Sequence, residues 1–221
     1  MRDSDGKGKG MNRNYQKELD RTLTRLKEEK QVKSLLLHSC CAPCSSYVIE
    51  YLSSYFKITV FYYNPNIYPK EEYGKRAEEQ MRFIQKFPAK YPVEFLCGAF
   101  DSGKYYEAVK GFEQEKEGGE RCMRCYRLRL LETVKAASRL GADYFTTTLS
   151  ISPLKNAVRL NEIGEELAAE YNVSYLNSDF KKRDGYKRSV ELSKQYGLYR
   201  QDYCGCIFSK KEREAQEASK L

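Results

Sequence analysis

Apolar residues recur with two different periods along this chain, and the two kinds of segment alternate. Short apolar runs rich in β-branched and aromatic residues predict buried strands. Between them, apolar residues three and four positions apart predict amphipathic helices. The strands are predicted at 34–38, 58–64, 93–97, 144–149 and 173–176, and the intervening helices at 46–55, 70–87, 121–140 and 154–171.

Alternation of strands and helices predicts an α/β fold, with a mostly parallel sheet and helices on both of its faces. A single catalytic domain of this kind is expected over residues 34–221. Residues 1–33 are expected to lie outside it, as a loose N-terminal tail followed by a charged helix over 15–29 with three leucines on one stripe.

An unusual short motif follows each predicted strand. In chain order the motifs are CCAPC, NPNIYP, CGAFD, LSISP and NSDFKK. Ligands of open parallel sheets bind beyond the carboxyl ends of the strands, and those ends share one edge of the sheet. A functional site is therefore predicted at that edge.

Most of the eight cysteines occur in clusters, at positions 40, 41, 44, 97, 122, 125, 204 and 206. The start of the chain has no apolar stretch typical of a signal peptide, and no run reaches the roughly 18–20 apolar residues of a membrane span. A cytoplasmic protein without a membrane partner is expected, and this argues against a secreted disulfide scaffold. Clustered thiols in a reducing compartment indicate metal or redox chemistry.

Five of these cysteines are candidate metal ligands. Cys122 and Cys125 form a C-x-x-C element at the start of a predicted helix, which suits half of a metal site or a redox pair. The adjacent Cys40 and Cys41 would close an awkward chelate on one ion, but they can reach separate irons of a larger cluster. An iron–sulfur cluster on these four cysteines is therefore favoured over zinc. Cys44 is a competing ligand, because it forms its own C-x-x-C with Cys41.

Cys204 and Cys206, separated by Gly205, are a different kind of pair. Two thiols this close in sequence can reach disulfide distance, and the glycine permits the tight bend. A redox-active dithiol is favoured, with two further metal ligands as the alternative. The lone histidine, His38, is expected to make structural hydrogen bonds, and Cys97 is expected to lie in the core.

The net charge of +8 favours a polyanionic partner, although a well-solvated surface is the alternative. Cationic side chains combined with 19 tyrosines and 10 phenylalanines are typical of proteins that bind single-stranded RNA loops. The basic residues after the fifth strand are predicted to contact RNA, and the arginines of 121–129 are the alternative. The predicted contact residues are Lys181, Lys182, Arg183 and Lys187.

Five blocks, HSCCAPC, NPNIYPKEEYGKR, GERCMRCYRLRL, FTTTLSISPLKN and DFKKRDGY…YRQDYCGCIFS, together resemble the QueH family of epoxyqueuosine reductases over about 35–209. The resemblance implies reduction of epoxyqueuosine to queuosine at the wobble position of the tRNA anticodon, the last step of queuosine biosynthesis, without cobalamin. It also implies a 4Fe-4S cluster on Cys40, Cys41, Cys122 and Cys125, an additional mononuclear iron beside it, and a redox-active disulfide in the C-G-C element.

The implied partners are a tRNA bearing epoxyqueuosine and an unidentified electron donor. The fold is similar to the adenine nucleotide alpha-hydrolase (HUP-like) group, but SCCAPCSS replaces the glycine-rich phosphate loop of its ATP-using members, so ATP use is not expected. Two rival functions are an iron–sulfur-dependent tRNA thiolase, which needs ATP, and a zinc-stabilised RNA-binding module. Asp101, Asp202 and Tyr203 are candidates for the acid that protonates the leaving oxygen.

Overall fold

The computed structural model describes residues 13–219, and most of the predicted N-terminal tail lies outside the described residues. Five strands form one sheet in the order β3-β2-β1-β4-β5, and every pair is parallel. The strands are β1 (Lys33–His38), β2 (Phe56–Tyr62), β3 (Glu94–Cys97), β4 (Tyr144–Thr147) and β5 (Ser174–Tyr175). This confirms the predicted parallel α/β fold, which is consistent with the HUP-like description.

The described part of the chain contains eight α-helices. They are α1 (Tyr15–Glu28), α2 (Ala42–Leu52), α3 (Lys70–Lys86), α4 (Ser102–Ala108), α5 (Glu120–Leu140), α6 (Ala157–Tyr171), α7 (Gly185–Gln195) and α8 (Ile207–Ala218). One turn of 3₁₀ helix, Thr148–Ile151, follows β4. None of the described helices has both the length and the apolar character needed to cross a bilayer.

Alternating residues of β1 divide the core into two halves. Leu35 and Leu37 pack with apolar side chains of α1, α2 and α3, whereas Leu36 packs with α5 and α6 on the other face. This alternation follows from the two-residue repeat of a strand. Helices therefore cover both faces of the sheet, as predicted.

The N-terminal helix α1 packs against the sheet. Its predicted stripe of Leu19, Leu23 and Leu26 is buried in the same apolar cluster as Leu35 and Leu37 of β1. The N-terminal helix thus shares a core with the α/β part, while the proposed domain division at residue 33 stays a prediction.

Helix α2 begins four residues earlier than the apolar pattern predicts. Cys41 is its N-cap, and the Cys41 Sγ accepts a hydrogen bond from the backbone N–H of Cys44 at 3.4 Å. Pro43 is tolerated in the first turn because its missing N–H would have no partner there. The C-x-x-C element is therefore the first turn of a helix, which fixes the direction of both side chains.

Three helices, α4, α7 and α8, were not predicted. Each buries very little large apolar surface: α8 buries only Ser209, and Leu192 is the one apolar side chain buried in α7. With so few large apolar side chains, their sequences lack the apolar runs that mark the predicted helices. These helices still matter, because α8 and the segment before it form one wall of the site.

Candidate thiol-lined active site

Three cysteines meet beyond the carboxyl end of β1. The Sγ atoms of Cys40, Cys41 and Cys44 all lie within 4.8 Å of one another, with 3.7 Å between those of Cys40 and Cys41. The strand order reverses between β1 and β4, which is where open parallel sheets bind ligands. The first predicted cysteine motif therefore forms a compact group of soft sulfur ligands at this edge of the sheet. Such a group suits a metal cofactor.

The protonation of this group is interdependent. Hydrogen bonding with Cys41 and Cys44 lowers the pKa of Cys40, while burial and the neighbouring thiols raise the pKa of Cys41. Three thiols in one buried place cannot all ionise without added positive charge. A metal cation bound by all three would supply that charge, so the donor set fits a thiolate-ligated metal centre.

A second group of thiols is formed by the start of α5 and the segment before α8. Cys122 Sγ accepts a hydrogen bond from the N–H of Gly118 at 3.2 Å, and Cys125 is buried in one apolar cluster with Cys206. Burial raises the pKa of Cys125 to about 12, with a further contribution from Cys204. The two cysteine pairs far apart in sequence are therefore neighbours in the fold.

Arg129 of α5 lies between the two thiol groups and is 1% exposed. Its Nη2 donates to Asn64 Oδ1 at 2.6 Å, and its Nε donates to His38 Nε2 at 3.3 Å. Burial disfavours its charge, but Cys125 and Cys40 more than compensate and raise the pKa of Arg129. A permanent positive charge is thus buried among the cysteines.

His38 makes structural contacts, in agreement with its expected role. It is fully buried, and its Nδ1 lies 2.8 Å from Thr147 Oγ1 on β4. Burial, and then the charge of Arg129, lowers the pKa of His38 to about 3, so the imidazole is neutral. A neutral ring that links β1, β4 and α5 positions the loop carrying the cysteines.

The segment that carries Cys204 and Cys206 is fixed against the loop after β2. Tyr68 N–H donates to Gly205 O at 2.8 Å, and Tyr203 Oη donates to Tyr68 O at 2.8 Å. Gly205 has φ +121°, a conformation that other residues rarely adopt. The glycine therefore permits both the bend and the close approach of this segment.

A cavity of about 1320 Å³ opens over the cysteines. Cys40, Cys41, Cys44 and Cys204 line it, together with eight Lys and Arg residues and five Asp and Glu residues. Asp202 and Tyr203, two of the predicted acid candidates, also line it, whereas Asp101 caps α4 by accepting from Gly103 N–H. The cavity joins a group of thiols to a predominantly cationic wall.

The predicted RNA-contact residues do not line this cavity in the described part of the chain. Arg183 forms an ion pair with Asp20 of α1 at 2.6 Å, and Lys181 pairs with Asp179 at 2.8 Å. Their role in RNA binding, like that of Lys182 and Lys187, stays a prediction. Arg121 and Arg129, two of the arginines considered as the alternative, are buried.

The third predicted motif, CGAFD, does not line the cavity in the described part of the chain. Its Cys97 is exposed at the end of β3 and does not lie in the core as predicted. Its Sγ lies 3.4 Å from Tyr73 Oη. Arg76 and Lys155 also line the cavity, and neither was among the site residues predicted from the sequence. For Lys155, the one available signal was its position in the block LSISPLKN. The sequence did not show that this lysine would be buried.

A parallel α/β fold with a cavity lined by thiols and cations beyond the strand ends is typical of an enzyme that uses metal or redox chemistry. The family model described as "Epoxyqueuosine reductase QueH" matches residues 35–212. The chain belongs to this family, whose curated members are named as reductases, and it is an oxidoreductase.

Several relatives carry the name epoxyqueuosine reductase QueH. The protein from Streptococcus pyogenes serotype M1 is 44% identical over 207 residues, covering 91% of this chain and 81% of the relative. The protein from Staphylococcus epidermidis is 42% identical, covering 89% of this chain and 84% of the relative. The protein from Thermotoga maritima is 36% identical, covering 84% and 94%. The family resemblance seen in the sequence is confirmed.

Replacing Gly205 by Ala is expected to lower the free energy of unfolding by about 1–3 kcal/mol. A Cβ at this position would lie 3.1 Å from Arg76 Nη1 and 3.2 Å from Ile67 Cγ1, on a backbone with positive φ. Urea unfolding followed by circular dichroism measures the effect. Gly74→Ala in α3 is the control, because nothing lies within 4 Å of its Cβ. Equal stability of both variants would contradict the close approach at Gly205.

Proposed function

We propose that this protein reduces epoxyqueuosine to queuosine at the wobble position of the tRNA anticodon, without cobalamin. The observation that carries the proposal is the cavity lined by Cys40, Cys41, Cys44 and Cys204, in a chain whose relatives are named for this reduction. A tRNA-modifying reductase of this kind would act in the cytoplasm. Electrons would come from a donor that acts on the cavity thiols.

The dithiol can supply the electrons that the reaction requires. Reduction of an epoxide to an alkene takes up two electrons and two protons and releases one water. Oxidation of the Cys204 and Cys206 thiols to a disulfide supplies two electrons and two protons. A donor must then reduce the disulfide for the next turnover.

The proposed ligands of a 4Fe-4S cluster are Cys40, Cys41, Cys122 and Cys125, with Cys44 as the alternative. The short Sγ separations at Cys40, Cys41 and Cys44 support thiolate ligation. When bound, an iron–sulfur cluster transfers single electrons, and an iron with an open position, including an additional mononuclear iron, can act as a Lewis acid. The cysteines and Arg129 would hold this group and balance its charge.

Arg76 is available to bind a substrate oxygen in the cavity. It is 2% exposed, and its Nε donates to Glu72 Oε1 at 2.7 Å. Its Nη2 has no hydrogen-bond partner in the described part of the chain. A buried donor without a partner is costly, so a polar group of the bound nucleoside would satisfy it.

An anticodon loop would deliver the modified base by extruding it into the cavity. Arg200 and Lys211 at the cavity, and Tyr186, which is 41% exposed, provide charge and a stacking surface there. The cations after β5 would contact phosphates outside the cavity. The residues at the cavity and the cations after β5 together fit a partner whose loop presents unstacked bases on a charged backbone.

An iron–sulfur-dependent tRNA thiolase is the second candidate, because the compact group of three cysteines would also suit that chemistry. A thiolase activates its substrate with ATP. Hydrolysis of ATP that depends on tRNA would support it, and anaerobic conversion of epoxyqueuosine-bearing tRNA without ATP, followed by nucleoside mass spectrometry, would support the reductase. Colourless, zinc-loaded protein without activity would instead indicate an RNA-binding module.

Replacing Cys204 or Cys206 by Ser is expected to abolish reduction while leaving the iron absorbance unchanged, because neither variant can form the disulfide. Anaerobic conversion of tRNA and the visible spectrum are the two measurements. Cys97→Ser is the control, since Cys97 is exposed and does not line the cavity. Loss of iron in both variants would assign these cysteines to metal binding.

Replacing any one of Cys40, Cys41, Cys122 and Cys125 by Ala is expected to reduce bound iron to near zero and to abolish turnover, because each supplies a ligand. Iron per chain is measured by elemental analysis. Cys44→Ala should retain iron. The opposite result, iron retained in Cys122→Ala and lost in Cys44→Ala, would make Cys44 the ligand.

Reversing the charge of Lys181 and Lys182 to Glu together is expected to weaken tRNA binding. The affinity should also depend less steeply on salt. The slope of log affinity against log salt concentration should decrease in magnitude by about 0.7 for each phosphate that the variant no longer neutralises. The control is Lys57→Glu with Lys135→Glu, which makes the same charge change near the amino edge of the sheet. Affinity is measured over a range of salt concentrations. If the two double variants bind tRNA equally well, the RNA footprint lies elsewhere. Arg200 and Lys211 would then be the next pair of charges to reverse.

A further inference from the structure

Tyr186 is an aromatic side chain that lines the cavity and still faces solvent. It lies in the first turn of α7, and 41% of it is exposed. An aromatic ring gives a large, rigid apolar face at a low cost in side-chain entropy, and for this reason exposed aromatic side chains often make the central contacts of binding surfaces. The position of Tyr186 suits contact with a flat molecule beside the cavity.

The start of α7, which carries Tyr186, is fixed in the fold. A Cβ on the preceding Gly185 would clash with the carbonyl oxygen of Phe180, so the backbone packs closely at this point. Arg188, in the same turn, donates from Nε and Nη2 to the two carboxylate oxygens of Glu50 on α2, at 2.9 and 2.7 Å. Tyr186 is therefore presented from a helix end with a defined position.

Arg200 is held beside the Tyr186 ring by a chain of hydrogen bonds. Its Cζ lies 5.6 Å from the ring centroid, within the range of a cation–π interaction. Its Nη1 donates to Ser193 Oγ at 3.2 Å. Ser193 Oγ donates to Ser189 O, and Ser189 Oγ donates to Tyr186 O, both at 2.6 Å. Two buried serines thus link the guanidinium to the backbone of the tyrosine, and ring and charge form one preorganised surface.

Cations lie along the chain and along the cavity on either side of this surface. Lys187 directly follows Tyr186, Lys182 precedes it by one short turn, and both are exposed. Lys211 lines the cavity, as Arg200 does. An aromatic face among cations fits single-stranded nucleic acid, whose bases stack on aromatic rings while its phosphates contact Lys and Arg. The chemistry of the surface therefore favours an RNA loop as its occupant.

We propose that Tyr186, positioned by Arg200, is the stacking platform for an unpaired base of the RNA loop, next to the base that enters the cavity. The inference rests on the proposed function, which supplies that loop. When one base leaves the stack, its neighbour loses a stacking partner, and the Tyr186 ring takes that place. Because every base has a π face, this contact sets where the loop binds without reading its sequence.

The test measures the affinity of the full-length protein for an unmodified tRNA anticodon stem-loop. Tyr186→Ala is expected to raise the Kd about 5- to 150-fold, the range for stacking one base on an aromatic side chain. Tyr186→Phe should retain the affinity, because it keeps the ring. Tyr186→Leu should bind as weakly as Tyr186→Ala, because apolar bulk alone does not stack. The slope of log affinity against log salt concentration should be the same in all three variants, since none removes a charge.

Two further measurements serve as controls. Tyr106→Ala should leave the Kd within about twofold, because Tyr106 is equally exposed, at 44%, but lies on α4 and does not line the cavity. Arg200→Met should weaken binding, and its effect should not add to that of Tyr186→Ala in the double variant, because ring and guanidinium act as one surface. Additive effects would reject the positioning role of Arg200.

Fluorescence identifies the stacked base. The analogue 2-aminopurine is placed at either nucleotide that flanks the wobble position, and emission is read at saturating protein. At one of the two positions, emission should be lower with the original protein and with Tyr186→Phe than with Tyr186→Ala, because stacking on the ring quenches it. Equal emission in all three complexes at both positions would overturn the proposal.

Three affinity results would also overturn it: a Kd of Tyr186→Ala within about twofold of the original, weak binding by Tyr186→Phe, or a changed salt slope in either. The unmodified stem-loop has no epoxide to reduce, so these results do not depend on turnover. Binding that depends on Tyr186 in a protein that fails to convert epoxyqueuosine would reject the proposed function and leave the platform standing. Conversion of epoxyqueuosine combined with unchanged binding in Tyr186→Ala would do the reverse.

Discussion

The buried guanidinium of Arg129 is the interaction on which the site depends. It links β1 through His38, the loop after β2 through Asn64, and both thiol groups through its charge. Leaving a buried charge without its partners costs about 3–5 kcal/mol, so the arginine and the thiols around it must be kept together. This requirement brings the start of α5 to the carboxyl edge of the sheet, where the first cysteine motif also lies.

The C-terminal segment completes the site by a different kind of interaction. Backbone hydrogen bonds and the absence of a Cβ at Gly205 hold it against the loop after β2, with little apolar burial in α8. Such an attachment defines the position of Cys204 without filling the space in front of it. Phe208 of α8 packs against the cluster that contains Cys125 and Cys206, while Cys204 lines the cavity.

The cations of the chain occupy two kinds of environment that the sequence does not separate. Arg76, Arg121, Arg129 and Lys155 are buried around thiols, carbonyls and carboxylates, where they stabilise anionic groups. Lys182 and Lys187, in contrast, are exposed to solvent. Clustered cysteines explain why the protein has cations in its interior, because thiolates in a low dielectric need compensation.

The sequence by itself determined a mostly parallel sheet and the helices with long apolar stripes, because burial of one face imposes a repeat of two or about 3.6 residues. The order of the strands came from the structure. It also determined the family and the edge at which the cysteines lie. Only the tertiary structure decided that Cys44 joins Cys40 and Cys41 in one compact group, that Cys97 is exposed, and that α8 forms a wall. It alone placed Lys155 beside Cys204, because a contact across 49 residues depends on how loops pack and leaves no period in the sequence.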